Sequence, residues 1–256
     1  MKATGAFLII VISIVATPSI YAADSPDEAC PDAAYKAMGS LLKKDDFFPK
    51  NGDAEIVGSV VTSACKQWPY KKNTMLVAFA YDEGVEEEKT IVVAILNKSM
   101  RVTAHYKEKF LEGVGHTYGS DSFTLDTARY DLASGVRAFG LRFSSSGPGA
   151  SAANSYHSDY LTLFVQKDKT LHPVFSDYMQ YGNALSGLIG YPTGHEYIES
   201  GVKTISISKS STNGYADLIV TDTITYDGNE EDRPPEISRD NRTAKYIYRY
   251  DGNRYK

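Results

Sequence analysis

The amino-acid sequence predicts an all-β protein. Its strands form an antiparallel up-and-down meander that makes a barrel or a two-sheet sandwich, with a small N-terminal helical flank linked by a disulfide. Three observations carry this. From Thr74 onward the chain is a succession of runs rich in Val, Ile, Thr, Tyr and Phe, the residue types that suit a pleated, half-buried surface. The connections between those runs alternate short and long. The two cysteines, Cys30 and Cys65, both lie early in the chain.

The N-terminus comes first. Lys2 precedes an uncharged apolar run from Ala6 to Ala16, a helix-breaking Thr17–Ser19 and the segment Ile20–Ala22. A basic start, a short apolar core and a small residue at the end predict a secretory signal peptide over residues 1–22, cleaved after Ala22. The run is shorter than the ~20 residues needed to span a bilayer. No membrane insertion is expected after cleavage, and the location implied is periplasmic or secreted.

Residues 23–70 read as the flank. Between Asp32 and Lys44, Ala34, Ala37, Met38, Leu41 and Leu42 recur at helical spacing behind Asp32, a fitting N-cap. Ala54–Cys65 fits a short strand and one face of a helix equally well. Export favours a Cys30–Cys65 bridge. Two sulfurs without a neighbouring His make a poor metal site, so no metal is expected there.

Residues 71–256 read as the β domain. The strand-like runs are Thr74–Tyr81, Thr90–Asn97, Arg101–Lys107, Ser122–Tyr130, Val136–Ser144, Asp159–Gln166, Leu171–Met179, Val202–Lys209, Tyr215–Tyr226 and Lys245–Tyr250. Short connections such as Asp131–Gly135, Ser210–Gly214 and Asp251–Asn253 hold the Gly, Asn and Asp that tight turns require. The long ones are Asp82–Lys89, Glu108–Asp121, Ser145–Ser158, Gln180–Gly201 and Asp227–Ala244. In a meander, successive connections fall at opposite ends, so the long ones gather into a crown of loops. At the C-terminus, Tyr248 or Tyr250 lies across from Tyr255, depending on which two residues make the turn.

Composition narrows the function. A formal net charge of −5 without a basic cluster argues against nucleic acid and against anionic lipid surfaces. No strong catalytic motif is present and no cofactor is implied. Gly115–Gly119 has the glycine spacing of a nucleophile elbow, but Thr117 stands where Ser is required. Asp227–Asp232 lacks the full calcium-loop pattern and reads as a solvated acidic loop. None of the five histidines forms a paired metal-ligand motif. His116, His157 and His195 fall on the expected loops, where they could meet Asp121, Glu196 or Glu199. Tyr118, Tyr156, Tyr191 and Tyr197 fall there too, and tyrosine offers large contact area at low entropic cost.

Ser63–Pro69, Leu125–Phe143, Gly214–Val220 and Tyr248–Tyr255 resemble segments of exported, β-rich bacterial proteins of unassigned function. The resemblance implies a periplasmic or secreted bacterial β protein and carries no site residues with it. The leading expectation is a non-enzymatic exported binding protein whose long loops recognise a protein or cell-envelope component, as an inhibitor or immunity factor would. The alternatives are a secreted hydrolase with a loop-borne His/carboxylate site and a carbohydrate-binding module that stacks sugars on tyrosines.

Overall fold

The computed structural model describes residues 29–49, 58–85, 88–113, 117–145, 153–190, 195–237 and 240–256. The segment assigned to a signal peptide lies outside them. Among the described residues there is one α-helix, α1 (Asp32–Leu42). Pro31 occupies its cap position and Asp32 sits in its first turn, where a negative charge suits the helix dipole. The helix ends at Lys43, whose left-handed backbone lets the Lys44 N–H reach back to the Gly39 carbonyl at 2.9 Å.

Strands β1 (Val60–Gln67), β2 (Thr74–Asp82), β3 (Glu88–Asn97) and β4 (Val102–Leu111) form one antiparallel meander. Among the described residues the sheet begins at Val60, and the part of the ambiguous stretch from Val60 to Cys65 is strand, its first residues, 54–57, lying outside the described residues. A second meander follows: β5 (Phe123–Ala133), β6 (Val136–Phe143), β7 (Ser155–Lys167), β8 (Thr170–Ser186), β9 (Tyr197–Thr212), β10 (Tyr215–Gly228) and β11 (Arg242–Tyr248). The sequential pairing is broken once. β4 does not pair with β5; instead a single parallel bridge joins His105 to Thr170 on β8, with the His105 N–H donating to the Lys169 carbonyl at 3.2 Å.

Two-sided burial explains how the meanders stack. Along β2, Leu76, Ala78 and Ala80 point one way, while Met75, Val77, Phe79 and Tyr81 point the other, and all are buried. β3 repeats this with Val93 and Ile95 against Val92, Ala94 and Leu96. Both faces must therefore be covered. On one, α1 supplies Ala34, Tyr35 and Met38, and the chain after it supplies Phe47. On the other lie Leu125, Phe139, Leu141 and Phe164 from β5 to β7. The opposite side of β5 to β8 carries Leu132, Ala138, Leu161 and Leu163, which pack against Leu218 and Val220 of β10.

Several residues expected on loops belong to strands. Ser155–Ser158 extends β7, Gln180–Ser186 extends β8 and Tyr197–Gly201 extends β9. The glycines there are not turn formers. Tyr156 lies across Gly182 and Tyr181 across Gly201, and a Cβ at either glycine would come within 2.2 Å of the opposing ring. The crown is correspondingly smaller than the connection lengths suggested.

The C-terminal hairpin adopts the second of the two registers, with Tyr250 opposite Tyr255. It is held on three sides. The Tyr255 N–H donates to the Val174 carbonyl and its hydroxyl to the Ala216 carbonyl, both at 2.7 Å. The Asn213 amide donates to the Tyr250 carbonyl at 2.8 Å, and the Tyr215 ring lies 4.4 Å from that of Tyr250. Tyr250 and Tyr255 thus anchor an end that would otherwise fray.

The Cys30–Cys65 disulfide ties the segment before α1 to β1 across 35 positions. Closing a loop of that length stabilises by about 3–4 kcal/mol on the chain-entropy model. Replacing both cysteines by serine should lower the unfolding free energy by about that amount in chemical denaturation. A double variant as stable as the parent would contradict the assignment of the helical flank to the folded core.

Candidate functional site

Past the His105–Thr170 bridge, β4 diverges from β8, and a cleft of about 580 Å³ opens between the two meanders. Its walls follow the two-residue period of strands. β4 contributes the alternate residues Tyr106, Glu108 and Phe110. β6 contributes Leu141 and Phe143, β7 contributes Tyr160, Thr162 and Phe164, and β8 contributes Ser176 and Tyr178. Tyr118 and Phe123 form the far end, and Asn253 and Arg254 of the C-terminal hairpin complete the lining.

The rings of the walls interlock. Trp68 packs edge-on to Phe139 at 5.7 Å, Phe139 stacks with Phe164 at 5.9 Å, and Phe164 meets Tyr106 at 5.3 Å. At the far end Tyr118, 7 % exposed, touches Phe143 at 4.6 Å and both Phe110 and Phe123 at 5.6 Å. Its main chain is fixed by an ion cluster. The Tyr118 N–H donates to Glu112 at 2.7 Å, and Glu112 pairs at 2.9 Å with Lys89, which also meets Asp82 at 3.1 Å. Burial opposes the Lys89 charge, but hydrogen bonds to Glu112 and Asp82 outweigh it and raise the ammonium pKa. Under the floor, Arg142 joins Asp126 of β5 to Asp159 of β7.

The polar groups that face the cleft are mostly hydroxyls. Thr162 and Ser176 share a hydrogen bond of 3.2 Å, and the Tyr106 hydroxyl donates to Glu108. Burial first, then that hydrogen bond, pushes the Tyr106 phenol well above its ordinary value. Burial, with the charges of Glu112 and Glu108 adding to it, does the same to Tyr118. Burial also raises Tyr178. These phenols therefore stay protonated at neutral pH. Among the described residues, no imidazole or thiol lines the cleft.

The loop candidates are distributed differently. Tyr118 lines the cleft, while His116 and Tyr191 lie outside the described residues. Tyr156 and His157 stand on β7. The first is exposed across Gly182, and the second lies 5.2 Å from the Tyr178 ring and 6.4 Å from Tyr181. His195 is exposed and meets Asp232 at 3.3 Å. Tyr197, 3 % exposed, stacks on Tyr226. Among the described residues no three His, Cys, Asp or Glu side chains gather as a metal site. The cleft residues on β4, β7 and β8 were missed as a group. The available signal was their spacing: Tyr106/Glu108/Phe110, Tyr160/Thr162/Phe164 and Ser176/Tyr178 each repeat with period two.

No family model, no curated protein and no solved structure matches this chain.

The raised phenols make a pH prediction. Tyr106 and Tyr118 titrate higher in the folded state than at the ordinary 10.0 of an unfolded chain. The stability they contribute is therefore fully present below about pH 10 and is lost as pH rises beyond it. Denaturation midpoints should hold up to that point and then fall, and Tyr118→Phe should make the fall shallower. An equally steep fall in Tyr118→Phe would show that this phenol is not buried.

Proposed function

We propose that this protein is an exported binding protein that holds an apolar or amphiphilic small molecule of the cell envelope in the cleft between its two meanders. The observation that carries the reading is the cleft itself. Its volume lies within the roughly 300–1,000 Å³ of small-molecule sites, and its walls combine aromatic rings with a few protonated hydroxyls. Burying apolar ligand surface there gains about 25 cal/mol per Å². Preformed, interlocked walls spare the ordering cost that loops would incur on binding. Export is supported by the N-terminal pattern and by the Cys30–Cys65 bridge. The envelope-component side of the sequence expectation is retained, with recognition moved from a crown of loops to the interior between the meanders.

The test is a titration of the purified, detergent-free protein with the apolar fluorophore N-phenyl-1-naphthylamine, alongside Ser176→Trp, which fills the floor of the cleft. The parent should give a saturable, blue-shifted signal, and Ser176→Trp should weaken binding at least about tenfold with an unchanged far-ultraviolet circular dichroism spectrum. A parent that gives no saturable signal, or a folded Ser176→Trp that binds as the parent does, would overturn the reading.

A further inference from the structure

The cleft is electrically lopsided. Among the described residues, two of its lining side chains carry full charges, Glu108 on β4 and Arg254 on the C-terminal hairpin. Glu108 is already engaged, accepting the Tyr106 hydroxyl. The guanidinium of exposed Arg254 makes no hydrogen bond or ion pair among the described residues. Lys256, two positions on, is taken by Asp251 at 2.7 Å.

Arg254 is nonetheless held firmly through its backbone. Its N–H donates to the Asp251 carboxylate at 2.8 Å, and its carbonyl accepts the Asp251 N–H at 2.9 Å. The next residue is fixed to β8 by the Tyr255 N–H donating to the Val174 carbonyl. The hairpin therefore sets an unpaired guanidinium at the edge of an aromatic cleft.

Resting on the cleft as the binding site, we propose that its ligand is an anionic amphiphile. The apolar chain lies between β4 and the floor of β6 to β8, and a terminal oxyanion sits on Arg254. A guanidinium presents a fixed fork of donors that matches carboxylate or phosphate oxygens. The guanidinium at the cleft edge thus gives the ligand its class.

The experiment displaces bound N-phenyl-1-naphthylamine from the full chain with dodecanoate, dodecyl phosphate and dodecanol, each below its micelle concentration. Parallel titrations use Arg254→Gln and Arg254→Lys. Either anion should bind the parent at least about tenfold more tightly than dodecanol, the scale of one charge-assisted hydrogen bond. The tighter of the two distinguishes a carboxylate from a phosphate head. Arg254→Gln should erase the difference while leaving dodecanol unchanged, and Arg254→Lys should restore part of it. Equal affinities in the parent, or a preference that survives Arg254→Gln, would overturn the anionic assignment and leave the cleft standing. Failure of all three compounds on the parent would remove the cleft reading together with this one.

Discussion

The structure depends on the burial of one face of β1–β4 against β5–β7 through an aromatic seam. Trp68, Phe139, Phe164 and Tyr106 form a continuous run of ring contacts across that boundary. Main-chain hydrogen bonding contributes little to the junction, since β4 and β8 share one bridge. Two meanders held mainly by side chains are free to diverge where the side chains allow it. They diverge where β4 turns its alternate residues toward β7 and β8, and the cleft is the result. The same two-faced burial accounts for the helical flank. β2 and β3 expose an apolar surface on their other side, and α1, fastened by Cys30–Cys65, covers it.

The second meander solves a different problem. Its long strands β8 and β9 run past the core into stretches that contain glycine and serine, where packing alone would not hold them. Tyrosines laid across glycines of the neighbouring strand supply the missing surface there. At the other end the terminal hairpin docks on the β8 carbonyl at Val174, where that strand bulges and has no regular partner. That docking also carries Asn253 and Arg254 to the cleft. Anchoring the chain end and furnishing the site are one arrangement.

Much of this architecture is legible in the residues. The alternation of Leu76, Ala78 and Ala80 with Val77 and Phe79, and the Asp-Gly-Asn turn before Tyr255, both reflect local period and turn chemistry, which act over a few residues. The disulfide follows from the cysteine count and the export that the N-terminal pattern predicts. What was not legible is non-local. Nothing around His105 signals that β4 meets β8, because a single bridge leaves no pattern in either strand. Gln180–Ser186 resembles a loop because Gly182, Asn183 and Ser186 have poor strand propensity, and the pairing with β7 and β9 overrides it. The cleft draws on segments from Ile91 to Arg254, so it has no motif. Tyr118 came to notice as a loop tyrosine, whereas its role is as a buried wall.

The most direct measurement of the splayed junction is amide hydrogen exchange along β4 in the unliganded protein. The His105 N–H donates to Lys169, and by strand alternation those of Lys107 and Lys109 point the same way, away from β3. An opening at this point predicts slow exchange at His105 and fast exchange at Lys107 and Lys109. Protection of all three to the same degree would mean that β4 continues to pair along β8, and that no cleft separates the two meanders.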